Sequence, residues 1–480
     1  MLLAEESVEL RHGAGGLVPM DLTEDAGQVS HGCVFLARKG ARFDGRDFIA
    51  CAIASGAVAV LTDEQGAQGL EFPLAVASDL QGVGARLAHA IHGAPSHAID
   101  VVGVTGTNGK TTCTTLLHHL LQAADMNCGL LGGIDVYDGD TFQPATLTTP
   151  AAGDIARLLA LMRAHGCQAS AMEVSSQAIA TDRIEGVKFA VQVFTNLSGD
   201  HLDLHGDMQT YATIKTQWMQ ACTGTAVVNI DDAVGRTIAQ RCDAPLTCGV
   251  GGDVQVVVKH ADLAGQRLGL TTPWGQAEVA LPLLGAHNAM NAAQSLAAAC
   301  LLGASFDTLC TALCSAPVPR GRLQAVDCDG TGPSVFVDFA HTDGALHAVL
   351  SAMRPLVQAG GQLIVVMGCG GDRDAAKRPR MAAVACDQAD VVWCTSDNPR
   401  TEDPEAILND VLRGVHDGAQ VHRQVDRRTA IQCAIAQASH LDVVVIAGKG
   451  HERVQLIGED SIEFDDVEVA RSALATGIDA

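Results

Sequence analysis

The chain is poor in aromatic side chains, with three Trp, two Tyr and eleven Phe among 480 residues, so its cores must be built mainly from Ala, Val, Leu and Ile. It also lacks any apolar run long enough to span a bilayer, which excludes a helical membrane protein. The opening MLLAEESVEL has neither a basic head nor an apolar middle, so a secretory signal is not expected. Sixteen cysteines occur without a C-x-x-C pair, scattered through apolar segments such as AAACLLGA and VVWCTS. That spacing argues against a zinc ribbon or a disulfide framework and fits reduced thiols in a cytoplasm. Basic residues are the scarcer charge, 31 Lys and Arg against 55 Asp and Glu, for a formal net charge of −24. Such an excess argues against broad binding to nucleic acid or anionic lipid but leaves small anionic substrates open. A cytoplasmic monomer acting on small molecules, with no nucleic-acid partner and no membrane insertion, is the expectation.

At 480 residues the chain is too long for one ordinary core, and two to four domains are expected. Three blocks suggest themselves. Residues 1–95 hold the short apolar runs CVFLA and AVAVL and end in the turn-rich HGAPSH, which predicts a small α/β unit. Residues 96–320 open on the strand-like IDVVGVTG and run to the Pro-rich PVPRGR. Residues 321–480 contain QLIVVMG, DVVWCTS and DVVVIAG, each followed by a polar loop and a helical pattern. Strand, loop and helix in repetition predict an α/β fold of mostly parallel sheets with crossover helices. Ligands in such sheets collect at the carboxyl ends of the strands, so the loops after these runs are the ones to read for chemistry.

The clearest such loop is VVGVTGTNGKTT, residues 101–112. Gly106, Thr107, Asn108 and Gly109 precede Lys110, Thr111 and Thr112; Leu116, Leu117, Leu120, Leu121 and Ala124 then share one helical face. Glycines let backbone N–H groups turn onto phosphate oxygens, and a helix start adds a positive dipole end. In that geometry Lys110 reaches the terminal phosphates and the Thr111 hydroxyl ligates Mg²⁺. The usual phosphate-loop pattern has glycine where Val104 stands; Gly103 is one residue early, which reads as a variant of the loop. An ordinary Gly-rich turn is the blander reading, and strand, G-T-N-G-K-T-T and amphipathic helix in succession make it the weaker one.

Two further segments carry candidate ligands, AMEVSSQAIATDRI at 171–184 and FTNLSGDHLDLHG at 194–206. Glu173 follows a short apolar stretch, a position that presents a carboxylate to a metal, and His201 sits among Asp200, Asp203 and His205. Taken singly, such a Glu is usually solvated and such a His is more often hydrogen-bonded than liganded. Lys215, in YATIKTQW, is most simply an exposed helical charge.

The loop GTNGKTT resembles the ATP loop of the Mur ligases, the cytoplasmic ATP-dependent amide-bond enzymes of peptidoglycan synthesis. LLGAHNAMNAAQSLAAA (283–299) resembles that family's G-x-H-N-x-x-N helix start, PVPRGRLQAV its proline–glycine–arginine junction, and DFAHTDGAL (338–346) its D-Y-A-H-x-P-x-A-L. These matches follow the family's order along nearly the whole chain. The resemblance implies a small α/β domain at 1–95 for a UDP-linked substrate, a central P-loop-type sheet at 96–320 for ATP, and a Rossmann-like domain at 321–480 for an amino acid. It implies that Gly106, Thr107, Asn108, Gly109, Lys110, Thr111, Thr112, Asn288, Asp338 and His341 bind ATP, with Asn288 at the adenine. Thr111 and Glu173 would hold one Mg²⁺, and His201 with carbamylated Lys215 a second, a carbamate being an acid-like oxygen donor suited to a hard cation. Lys110, Lys215, His201 and Glu173 are then the catalytic set.

In the third block CGGDRDAAKRPRM, TSDNPRTEDP and AGKGHERVQ each follow one of the three strands. Alone, DNPR reads as a Pro turn with a surface Arg. With the other two loops in register it resembles the signature of the Mur ligases that add meso-diaminopimelate. On that resemblance Arg373, Asp397, Asn398, Pro399, Arg400, Gly448 and Glu452 contact the incoming amino acid. A planar guanidinium such as Arg400 grips a carboxylate bidentately and rejects lysine, which has none there, while Glu452 suits an ammonium group. Thr148 and Thr149 of LTTP, with Ser175 and Arg183, match contacts to a UDP-linked dipeptide. The chain departs from the family at Ala26, Gln177 and Thr181, where serine, histidine and glutamine are usual, and HLDYHG reads HLDLHG. The implied activity is ATP-dependent ligation of meso-diaminopimelate to UDP-N-acetylmuramoyl-L-alanyl-D-glutamate. A ligase adding L-lysine or another amino acid, a folate polyglutamylating enzyme, and a nucleotide-binding relative without turnover are the alternatives.

Overall fold

The computed structural model of the protein describes residues 8–40, 43–200, 206–326 and 332–476. The apolar runs picked out above are strands: Cys33–Ala37, Ala59–Thr62, Asp100–Thr105, Leu363–Cys369, Val391–Ser396 and Val443–Ala447. Nearly every residue in them is buried, as unbroken apolar strands are when helices cover both faces of a parallel sheet.

The smallest of the three α/β sheets runs in the order Val8–Arg11, Leu74–Ala77, Ala59–Thr62, Cys33–Ala37, Asp21–Thr23, parallel apart from the first. The largest has eight strands: Leu246–Cys248, Thr225–Asn229, Phe189–Phe194, Asp100–Thr105, Ala169–Glu173, Cys128–Leu131, Asp135–Tyr137 and Phe142–Pro144. The last two form an antiparallel hairpin on an otherwise parallel sheet. Helices Lys110–Ala123 and Ala286–Leu301 pack together on one face, Leu116, Leu117, Leu120 and Leu121 sharing a core with Ala292, Ala293 and Leu296. Small alanines let the helices approach, which is how a core short of aromatic rings still reaches interior density.

The third sheet has six strands, in the order Gln324–Val326, Ser334–Asp338, Val443–Ala447, Leu363–Cys369, Val391–Ser396, Gln420–Arg423, parallel apart from the first. Loops 339–342, 448–452, 370–376 and 397–403 therefore leave one edge of it side by side.

Two antiparallel pieces carry no sequence expectation. Gln255–Asp262, Gly265–Thr272 and Gly275–Leu281 form a three-stranded meander, and Val454–Ile457 pairs with Asp460–Glu463. The outer strands of the meander and strand Asp460–Glu463 are largely solvent-exposed and the meander's middle strand buries alternate residues only, so polar residues interrupt the apolar signal that marks the buried strands. No helix among the described residues is long and apolar enough to cross a membrane.

Candidate active site

Strand Asp100–Thr105 lies between Ala169–Glu173 and Phe189–Phe194, so the chain leaves all three at one edge. From there Gly106–Gly109 turns into helix Lys110–Ala123. Gly109 has φ 89°, and a Cβ on it would stand 2.5 Å from Asn291 Oδ1, so only glycine fits. Gly103 turns out not to be a displaced member of this loop. It lies within the strand, where a Cβ would come within 2.6 Å of the Phe189 ring and 3.0 Å of Trp218. It makes room for two of the few large rings the chain possesses.

Segment 195–198 clasps the loop from outside. Thr107 N donates to Asn196 O at 2.8 Å, Asn108 N to Asn196 Oδ1 at 3.0 Å, and Thr195 Oγ1 to Asn108 O at 2.6 Å. Lys110 folds back on its own loop, Nζ donating to the Gly106 and Thr107 carbonyls at 2.8 Å each. Burial lowers its pKa, against the pull of Glu173 and Asp200.

Glu173 ends the neighbouring strand and is 1% exposed. Its carboxylate accepts from Gly133 N at 2.6 Å and from the Thr111 hydroxyl. Burial raises its pKa; Lys110, Gly133 N–H, Thr111 and Arg322 oppose the rise. Lys215 overturns its reading as an exposed charge. It is 0% exposed on helix Met208–Gln220, and Nζ donates to Thr105 Oγ1 and Gly106 O, both at 3.1 Å. Burial, reinforced by Lys110, drives its pKa well below the usual lysine value, which favours the neutral amine.

From the six-stranded sheet's side comes Arg322, a residue the sequence reading passed over although PVPRGR contains it. Its Nη2 donates to Thr111 Oγ1 at 3.3 Å, and its guanidinium lies 4.6 Å from the Phe339 ring centroid. Asp338 accepts from Leu323 N at 2.7 Å and Ala340 N at 2.8 Å, and burial raises its pKa. His341 meets the Phe339 carbonyl through Nδ1 at 2.9 Å, with Nε2 3.8 Å from Asp200 Oδ2; burial lowers its pKa.

These groups line one cleft of about 590 Å³ between the two larger sheets. Thr107, Asn108, Gly109, Lys110, Thr111, Thr112, Thr148, Thr149, Glu173, Ser175, Arg183, Lys215, Asn288, Asp338 and His341 all contribute to its wall. Gly106 stands behind it as the carbonyl that both lysines share. His201, with Asp203 and His205, lies outside the described residues. Thr149 ties the substrate-side candidates to Glu173: its hydroxyl donates to Glu173 O at 2.9 Å, Ser175 N donates to that hydroxyl at 3.0 Å, and Arg183 Nη1 donates to Thr149 O at 3.2 Å. Asn288 donates to Leu284 O at 2.8 Å and accepts from Asn291 Nδ2 at 3.1 Å. Gln177 also lines the cleft, while the Thr181 hydroxyl turns back to donate to Gln177 O at 2.7 Å. Ala26 begins a short 3-10 turn, Ala26–Gln28, capped by Asp25.

Among the described residues no three His, Cys, Asp or Glu side chains gather as a metal cage. A hydroxyl and a carboxylate side by side, Thr111 and Glu173, are the hard oxygen donors Mg²⁺ takes when phosphates and water complete its shell. The donor set fits that ion.

The amino-acid candidates do not enter this cleft; they gather with one another along the same sheet edge. Arg400 has φ 52°, its N donating to Leu456 O at 3.0 Å and its Nη1 to Gly371 O at 2.7 Å. Asn398 Nδ2 donates to Glu452 Oε2 at 2.7 Å. Gly448 comes so close to Asp397 that a Cβ would meet Oδ2 at 2.6 Å. The Pro399 carbonyl closes the turn by accepting from Glu402 N at 3.1 Å, and Arg373 is exposed beside it. Beneath, Arg378 bridges Glu402 and Asp410 at 2.8 and 2.9 Å.

A phosphate loop, a buried carboxylate–hydroxyl pair and a facing arginine where two parallel sheets meet define a nucleotide-dependent α/β enzyme. The chain belongs to the Mur ligase family. Residues 104–299 match the Mur ligase middle domain, 321–450 the Mur ligase glutamate ligase domain, and 22–90 the Mur ligase family catalytic domain. It is 42% identical over 460 residues to the UDP-N-acetylmuramoyl-L-alanyl-D-glutamate–2,6-diaminopimelate ligase of Gloeobacter violaceus, covering 95% of this chain and 93% of that one. The protein of the same name in Geobacillus kaustophilus is 39% identical over 478 residues, 96% of each chain. A solved structure of a ligase with that name, 32% identical, superposes with a TM-score of 0.66 over 95% of each chain. The MurF ligase of Thermotoga maritima in complex with ADP, 17% identical, shares the fold with a TM-score of 0.68 over 96% of this chain and 98% of that one.

Proposed function

We infer that this protein is an ATP-dependent ligase joining meso-diaminopimelate to UDP-N-acetylmuramoyl-L-alanyl-D-glutamate in cytoplasmic peptidoglycan precursor synthesis. The observation that carries the reading is convergence. Lys110, Thr111 and Glu173 face Arg322, Asp338 and His341 across one cleft, while DNPR stands further along the strand ends that also supply Asp338. Near-full-length relatives about 40% identical support it. Residues 1–95 would hold the uridine end, 96–320 ATP, and 321–480 the amino acid.

In this reading the γ-phosphoryl group of ATP passes to the D-glutamate γ-carboxylate and ADP leaves. The amine of diaminopimelate then attacks the acyl-phosphate carbon, loses a proton, and the C–O bond to phosphate breaks. Lys110, released from the two loop carbonyls, and Arg322 offset the charge spread over the transferring oxygens. Thr111 and Glu173 would hold Mg²⁺, which supplies charge neutralisation as two anions are brought together. Lys215 in its neutral form is able to add CO₂, one N–C bond forming and one proton leaving. The carbamate so made would join His201 in holding a second Mg²⁺. Asn288 lies toward the adenine, and Thr148, Thr149, Ser175 and Arg183 toward the dipeptide. Arg400 takes the distal carboxylate of diaminopimelate, Glu452 its ammonium, and Arg373, Asp397, Asn398, Pro399 and Gly448 complete the surround.

The test is phosphate release from ATP with Mg²⁺ and the UDP-linked dipeptide, offering meso-diaminopimelate or L-lysine separately. Release coupled to tripeptide formation with diaminopimelate alone is expected. A preference for lysine would sink the amino-acid assignment and leave the ligase; no release with either would sink the ligase.

A further inference from the structure

A lysine that the chemistry above leaves unused is buried at the centre of the amino-acid loops. Lys449 is 0% exposed, yet its ammonium has three partners: Asn398 Oδ1 at 3.0 Å, Glu452 Oε2 at 3.1 Å and Val454 O at 2.6 Å. Two of these partners lie on the lysine's own stretch of chain, three and five residues on, and the third lies 51 residues away. Asn398 is in the DNPR loop, Glu452 closes the turn after strand Val443–Ala447, and Val454 opens the hairpin whose Leu456 carbonyl receives the Arg400 N–H at 3.0 Å. Asn398 completes the knot, its Oδ1 also accepting from Leu456 N at 3.0 Å. Glu452 thereby has Oε2 held by two donors, while Oε1 has no hydrogen-bond partner among the described residues. A carboxylate fixed through one oxygen presents the other in a set direction.

We propose that Lys449 is the positioning residue of the amino-acid site: it aims the free oxygen of Glu452 at the substrate ammonium and, through Val454, sets the hairpin that fixes the Arg400 backbone. The proposal rests on the reading of residues 397–452 as the amino-acid site. A bridge of this kind has a recognisable signature. Without the ammonium, Glu452 loses its charge partner and Asn398 one of its two donors, so the distance between carboxylate and guanidinium is no longer fixed. The phosphate loop, which Lys449 does not touch, keeps its geometry.

Lys449→Met preserves the apolar stem and removes only the charged head. With the full-length enzyme and saturating UDP-linked dipeptide, KM for meso-diaminopimelate should rise about 10- to 100-fold, the range for losing a hydrogen bond to a charged group. KM for ATP should stay within about two-fold, and ethylammonium should restore part of the loss in Lys449→Ala, because it returns the missing ammonium to its own cavity. Equal rises in both KM values, or an unchanged KM for the amino acid, overturn the proposal. If Lys449→Met does not fold, Lys449→Gln, which keeps a donor for the Val454 carbonyl, gives the same comparison. Should the unaltered enzyme use a different amino acid, the diaminopimelate reading fails by itself. The Lys449 variants are then judged on the KM of the amino acid it does use.

Discussion

The cleft and the amino-acid loops both sit at the carboxyl ends of parallel strands, but their charges are treated in opposite ways. In the cleft burial pushes every displaced group toward its neutral form: Lys110 and Lys215 down, Glu173 and Asp338 up. The two lysines rest on backbone carbonyls and a hydroxyl, not on carboxylates. Under the loops the direction reverses. Burial works against the charge on Arg378, yet its bonds to Glu402 and Asp410 raise its pKa, and Glu402 falls in return. The difference lies in how buried charge is held. Beneath the loops ion pairs fix a shape, whereas the cleft's lysines are desolvated and held by uncharged oxygens, an arrangement suited to an anionic ligand.

The comparison breaks most easily at Lys110. Lys110→Met should lower kcat about a thousand-fold, as expected when a donor to a transferring phosphoryl group is removed. KM for diaminopimelate should hardly move, because nothing in the loops depends on that lysine. Phosphate-release kinetics with each substrate varied in turn would read both. A matching rise in the amino-acid KM would mean that the two regions are one electrostatic unit. A smaller effect sharpens the contrast from the other side. Arg400→Lys keeps the charge but loses the planar fork, and should raise KM for diaminopimelate about 10- to 100-fold while KM for ATP holds.

The same contrast explains what the sequence allowed to be read. The buried parallel strands announce themselves because each is an unbroken apolar run, and the phosphate loop because its own backbone, with φ 89° at Gly109, calls for glycine directly before the helix. What failed was anything depending on distant packing. Gly103 looked like part of the loop because its reason, the Phe189 and Trp218 rings, lies 86 and 115 positions along the chain. Taken singly Lys215 reads as exposed, because a helical lysine gives no local sign that the cleft closes over it, and only the family resemblance set it among the site residues. Arg322 and Lys449 were missed for the same cause: their partners, Thr111 for one and Asn398 for the other, meet them only in the fold. The meander at 255–281 was missed because only one face of it is buried, so Leu268, Leu270, Val279 and Leu281 come two apart and never form the unbroken run that marks the parallel strands.

A third region sharpens the comparison by having no counter-charge at all. His89, on helix Leu80–Ile91, is 2% exposed, and neither ring nitrogen has a hydrogen-bond partner among the described residues. It sits at the seam where the five-stranded sheet's helix meets the eight-stranded unit, against Gly186 and close to the Arg86–Glu185 ion pair. Burial, with His92 and His97 adding to it, lowers its pKa from 6.5 to about 4. The unfolded chain titrates near 6.5, so above that value neither state binds the proton and His89 contributes nothing to the pH dependence. Between about 6.5 and 4 the unfolded state takes up a proton that the folded state refuses, and stability falls as the pH falls. The loss amounts to about 2 kcal/mol by pH 5. His89→Leu removes the titrating group and fills the same apolar seam. The drop in unfolding free energy between pH 7 and pH 5, measured by urea titration, should shrink by about that 2 kcal/mol. The half-buried His287, lowered to about 4, and His451, lowered to about 3, add to the acid sensitivity in the same direction, as do His118 and His341, which burial also lowers. An undiminished drop in the variant would mean that His89 accepts its proton in the folded state, and that the seam, like the ion-paired loops, supplies a partner for the charge.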